Sequence, residues 1–273
     1  MKKRSLLAAP YIVWSVGFII LPLIVVLYYA LTNSDGGFTF DNIFAIANPI
    51  HLSALGQSLL IALGSTVICL VIAYPLAYIL SKWKSAKSGT VIMMFILPMW
   101  INFMLRVLAL QMILSNNGLL NGLLGFFGLP QQHILYTHWA ILIGMAYDYL
   151  PFMILPIYNA MIRIDRGLVD AAADLGAGKG SIFRRVILPL SMPGVISGII
   201  MVFIPSISEF AIADILGGSK VLLIGNVIEQ EFTLTSNWHL GSGLSIVLMI
   251  FIFISMAVTN RLDSSQEGVQ GIW

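Results

Sequence analysis

The chain has 273 residues, 59% of them hydrophobic and 10% charged, with a mean hydropathy of +0.94. Soluble domains carry roughly 25% charge, so this composition excludes a soluble globular protein, a disordered chain and a disulfide-stapled secreted domain. It leaves an integral membrane protein with a formal charge of +2 and one cysteine, Cys69, which excludes an internal disulfide.

A bilayer core takes about 20 apolar residues per helix. Reading for such runs predicts six spans, in chain order Ala8–Leu31, Ala54–Leu80, Val91–Leu114, Trp139–Met161, Met192–Ile215 and Leu240–Thr259. Lys2, Lys3 and Arg4 precede the first run. That run exceeds the roughly 7–15 residues of a signal-peptide core, so it is expected to stay as the first helix. Five of the six runs carry proline: Pro22, Pro75, Pro98, Pro151 with Pro156, and Pro205. Proline frees backbone groups that lipid leaves unpaired, so such helices tend to face protein or a wet cavity. Proline is also commoner in membrane helices generally. Gly194 and Gly198 form a GxxxG step, which permits close helix approach.

Basic residues set orientation. Lys2, Lys3, Arg4, Lys82, Lys84, Lys87, Arg163, Arg166, Lys179, Arg184, Arg185 and Arg261 fall in the tails and in the second and fourth loops. The other loops hold only Lys220. Both termini are therefore expected in the cytoplasm. The opposite loops carry Asp35, Asp41, Asp214, Glu229 and Glu231. That pattern is either an acidic lip that concentrates a cationic solute or ordinary depletion of Lys and Arg on the outside.

Three charged residues lie deep inside runs, Arg106, Asp148 and Glu209, whereas Asp214 sits at the outer end of the fifth. Each costs about 2.5–3.5 kcal/mol at a helix centre. At the helical rise they fall about 12, 14 and 9 Å below the outer ends of their runs, at heights where they could meet. Trp100, Tyr147 and Tyr149 bring aromatic surface to similar depths. Carboxylates and π-faces together suit an organic ammonium, so these six residues are the candidate substrate pathway, with Arg106 a gate or a counter-ion. The plainer reading is a buried Arg–carboxylate pair that pins the bundle.

The longest inside loop, 163–189, predicts a short helix that Asp165 could cap. Leu168, Ala171, Ala172 and Leu175 form one apolar face, and Gly176 ends it. A second amphipathic helix through Ile182, Phe183, Val186 and Ile187 is expected to stop at Pro189. An amphipathic loop helix could also simply lie on the membrane surface.

Asp170-Ala171-Ala172, Gly176, Val186 and Leu188-Pro189 keep the spacing of E-A-A-x3-G-x9-I-x-L-P, and the chain thereby resembles ABC-importer permeases. Asp170 stands where that signature has Glu, and Val186 where it has Ile. Pro98–Val107, Asn116–Asn121, Tyr149–Tyr158, Ser208–Gly218, Leu223–Ile228, Gln230–Phe232 and Trp238 are similar to permeases of the spermidine/putrescine type, the first of two permease subunits. The resemblance implies an all-α integral membrane protein of the type I (MetI-like) permease fold. It would form a single domain over 1–273, in a bacterial inner membrane. Asp170, Ala171, Ala172, Asp174, Gly176, Leu188 and Pro189 would form the element that docks on an ATPase. Implied partners are a second six-helix permease, two ATPase copies and an extracytoplasmic polyamine-binding protein, which would dock around 117–132 and 217–239.

No cofactor is expected in this chain; ATP and Mg would belong to the partner ATPase. Gly176-Ala-Gly-Lys179-Gly-Ser181 is not a P-loop, because Ala173 occupies the first glycine position and Gly180 follows the lysine. His51, His133, His138 and His239 show no HxxxH pair, so no metal is expected, and no motif marks an enzyme. An ion-coupled secondary transporter, with a proton on Asp148 or Glu209, is a competing reading. It lacks the two matched halves expected of an inverted repeat. A scaffold without transport leaves the prolines and the buried charges unexplained.

Overall fold

The computed structural model describes residues 10–83 and 90–270, the side chains of residues 90–92, 219 and 260–270 excepted. Ala8, Lys2, Lys3, Arg4, Lys84, Lys87 and the side chain of Arg261 lie outside the described residues. Among those described, the regular structure is helical, apart from one isolated bridge between Thr32 and Phe38. The helices are α1 (Pro10–Ala30), α2 (Pro49–Lys82), α3 (Thr90–Ile96), α4 (Phe103–Leu114), α5 (Leu119–Phe126) and α6 (His138–Ile162). They continue as α7 (Arg166–Asp174), α8 (Lys179–Ile207), α9 (Ile224–Thr233) and α10 (Trp238–Gln270). Six apolar stretches are long enough to cross a membrane, as expected.

The central post is α6, packed between α2 and α8. Ala54, Ser58, Ala62, Ser65, Cys69, Ala73 and Ala77 are buried on α2. They recur at three- and four-residue spacing and so form one face. Their small side chains let backbones come close, which in lipid replaces the hydrophobic drive. On α8 the GxxxG step does what its spacing predicts. A Cβ added at Gly194 would lie 2.6 Å from the Pro156 carbonyl oxygen, and one at Gly198 would lie 2.7 Å from Met153 Sδ. Met153, Ile154 and Ile157 of α6 are fully buried opposite this seam. α10 packs against α1 and α9 at the side of this core.

Three predicted elements come out differently. The third run, Val91–Leu114, is not one helix. After α3 a 3-10 turn, Leu97–Trp100, carries Pro98 in its first turn, and Ile101 is then extended with ψ 141°. Asn102, with ψ 130°, starts α4 afresh, its side chain accepting from the Leu105 N–H at 3.3 Å. That is helix N-cap geometry. The fifth run, Met192–Ile215, is also interrupted: α8 ends at Ile207, residues 208–210 are non-helical, and a second turn closes as a π-turn at Ala213–Gly217. Finally, the helix after Gly178 does not stop at Pro189. It passes through a π-turn at Phe183–Ile187 and continues as α8 to Ile207. Wider i→i+5 bonding before the proline re-registers the ladder that its missing N–H would break.

Candidate functional site

The three charges predicted inside the membrane converge on α6. Arg106, in the first turn of α4, places Nη2 2.7 Å from Asp148 Oδ1, with side chains only 10% and 7% exposed. This is the one ion pair among the described residues. Next along α6, Tyr149 donates its hydroxyl to Glu209 Oε2 at 2.6 Å. Glu209 lies in the break after α8, not on a helix, and its Oε1 accepts from the Ile212 N–H at 3.0 Å. It therefore caps the turn that follows by accepting from one of its unpaired N–H groups. The cluster holds two carboxyl groups and one guanidinium, one acidic group in excess. Inside a low-dielectric bundle such charges interact far more strongly than in water. Arg106 Nε is buried and bonds no described protein group.

The aromatic residues divide. Tyr149 is buried and is a hydrogen-bond donor to the acid, a role its sequence position did not announce. Trp100 is 74% exposed and Tyr147 47% exposed, so both present their rings to the outside of this chain, away from its own core.

The break that carries Glu209 is held by residues with no role assigned from sequence. A Cβ on Gly225, in the first turn of α9, would come 2.8 Å from the Ser208 carbonyl oxygen and 2.9 Å from that of Glu209. Asn226 donates Nδ2–H to the Phe210 carbonyl at 2.9 Å. The Ile224 N–H donates to Ser58 Oγ of α2 at 2.8 Å. Gln111 of α4 reaches the Ile215 carbonyl at 2.9 Å, linking the two broken spans. Leu223–Ile228 was visible only as a stretch of family resemblance. The signal that could have marked it is a glycine followed by a buried amide at a helix start.

At the other end of the bundle, α7 has the predicted form. The Asp165 side chain accepts from the Gly167 N–H at 3.0 Å and caps it. Asp170, Ala171, Asp174 and Gly176 are exposed and Ala172 is half-buried. Leu175 is 89% exposed. Gly176 has φ +80° with open space around its Cα, a left-handed conformation that glycine adopts without strain. Leu188 and Pro189 lie at the start of the membrane-crossing part of α8. Between α7 and the end of α2 is a cleft of about 690 Å³, lined among others by Tyr78, Lys82, Asp165, Arg166, Asp170 and Lys179. No group of three or more His, Cys, Asp or Glu fit to hold a metal occurs among the described residues.

The molecule is thus a bundle of six apolar spans with a charged cluster at its helix breaks and an exposed helix in a long loop. Residues 72–267 match the family model of binding-protein-dependent transport system inner membrane components. The chain is 36% identical to the spermidine/putrescine transport system permease protein PotB of Haemophilus influenzae, over 97% of each chain. It is 37% identical to PotB of Escherichia coli, covering 90% of this chain and 92% of that one. A bacterial ABC transporter involved in import of the acidic polysaccharide alginate contains a chain of the same fold, with TM-score 0.74, 17% identity, and coverage of 95% of this chain and 96% of that one. The MetNI methionine ABC transporter has another, with TM-score 0.58, 16% identity, and coverage of 79% and 95%. The chain therefore belongs to the inner-membrane components of binding-protein-dependent transport systems. It is a multi-pass bacterial inner-membrane protein with the type I ABC-importer permease fold.

Proposed function

We propose that this chain is one permease subunit of an ATP-driven importer of polyamines and forms half of its translocation path. The observation that carries the proposal is the full-length likeness to permeases named for spermidine and putrescine. The electrostatics agree in sign: two carboxylates against one guanidinium favour a cationic solute. The second half of the path belongs to a partner permease, and hydrolysis of ATP with Mg to a partner ATPase dimer. The chain itself is non-catalytic and holds no cofactor. Both termini and α7 face the cytoplasm, on the sidedness of the basic residues. Asp170–Gly176 docks on the ATPase, with Leu188 and Pro189 joining that contact to α8. An extracytoplasmic polyamine-binding protein docks on 117–132 and 217–239. Asp148 and Glu209 lie on the cation's path, with Tyr149 holding Glu209. Trp100 and Tyr147 face the partner permease across the path.

The test is uptake of labelled spermidine and putrescine into cells lacking this subunit, with and without the restored gene. Restored uptake that depends on the ATPase is expected. Uptake that survives loss of the ATPase and follows the proton gradient would replace the proposal with an ion-coupled carrier.

A further inference from the structure

We infer that Arg106 is a tethered competitor of the transported cation: its guanidinium occupies Asp148 in the resting state, and an ammonium group of the solute displaces it. The inference rests on the polyamine reading above and adds a specific role for one residue.

Arg106 is the one basic residue within the six predicted runs, and no Asp, Glu, Lys or Arg lies between it and Asp148. No other Lys or Arg lies on α4, α5 or the start of α6 to pair with Asp148. The guanidinium therefore fills the position that a solute ammonium would take beside two carboxylates.

The contact is not built as a permanent pin. A pinning arginine uses its planar fork to donate to several acceptor oxygens at once. Here Nη2 makes the 2.7 Å contact, while Nε is buried without a protein partner. The two partners also differ in how firmly they are held. Asp148 sits on the central post among buried neighbours such as Met145, Ala146 and Tyr149. Arg106 sits on α4, which buries only Val107 and Leu114 and begins at a break capped by Asn102. Arg106 can withdraw with its short helix while Asp148 stays fixed. The neighbouring carboxylate, Glu209, is already held by two donors. The excess negative charge thus remains in place for the incoming cation.

Displacement works as a selectivity filter. A neutral solute offers no charge to replace the guanidinium, and leaving Asp148 unpaired in a buried site is costly. A cation exchanges one ion pair for another.

The test uses the importer complex purified without its binding protein, titrated with spermidine. A competitor that holds Asp148 most of the time lowers apparent affinity by the fraction of time the site is free. Arg106→Gln is expected to bind spermidine about tenfold tighter than the parent, and Arg106→Lys about as the parent does. Equal or weaker binding by an assembled Arg106→Gln complex overturns the inference. A second measurement needs no variant. Phenylglyoxal modification of the wild-type complex, mapped by mass spectrometry, should label Arg106 more with spermidine present than without. An Arg106 signal that is unchanged or protected by spermidine also overturns it. Failure of spermidine uptake by the wild-type importer would instead remove the substrate assignment. Intact uptake with no gain in affinity would remove the displacement step alone.

Discussion

The seam between α6 and α8 and the exposed helix α7 both depend on glycine, for opposite reasons. At Gly194 a Cβ would collide with the backbone of the neighbouring helix, and at Gly198 with the Met153 sulfur. At Gly176 nothing is near, and the requirement is a φ of +80°. The first pair fixes a distance and holds two spans as one body. The second fixes a direction, turning the chain after a helix that buries none of its residues. A region built on contact resists motion. A region built on backbone conformation, with its side chains free, is available to a partner.

The largest effect should come from breaking the seam. Gly194→Leu forces α8 off Pro156 and Ala160, an overpacking of about 3 kcal/mol or more; loss of folded protein in size-exclusion chromatography of the solubilised complex is expected. Tyr149→Phe comes next. It removes a donor from a buried carboxylate and should cost about 2 kcal/mol, read as a lowered melting temperature, whereas Tyr147→Phe on the exposed side should leave it unchanged. Gly176→Ala places a Cβ in the left-handed region at about 1–2 kcal/mol. It should keep the complex assembled and lower solute-stimulated ATP hydrolysis; normal stimulation would show that the turn direction is unimportant. The smallest effect is expected from Asn102→Ala, about 1 kcal/mol from the lost cap, with Asn102→Ser restoring most of it in the same melting assay.

Hydropathy made the spans legible because apolar character adds up along some twenty residues, and a few wrong residues do not hide it. The α7 element was legible because Asp165, Gly176 and the residues between them act locally. The breaks were not. Proline is an ambiguous signal here: Pro75 leaves α2 continuous, Pro189 is absorbed by a π-turn, and Pro98 is followed by a true interruption. Which outcome occurs depends on whether a side chain such as Asn102 can restart the helix. The pairing of Arg106 with Asp148 was open to sequence reading because depth along each run can be counted. The bond from Tyr149 to Glu209 was not, because it depends on Glu209 leaving the helix. Asn226 and Gly225 act only through a backbone carbonyl brought to them by the fold, and no local pattern encodes that.

The two capped breaks also define the mechanics of the bundle. Unwinding a turn in the middle of α6 would surrender several backbone bonds with no water to replace them. Swinging a segment about Asn102 strains one side-chain bond to an N–H, and swinging one about Glu209 strains such a bond and the Tyr149 hydroxyl bond. The molecule is thus a stiff mast with two hinged panels. One panel carries the positive partner of the mast's ion pair, and the other carries the second negative charge. Panel position and local electric potential are consequently one variable: to move either panel is to rewrite the charge that the mast presents, and to bring a charge to the mast is to push on a hinge.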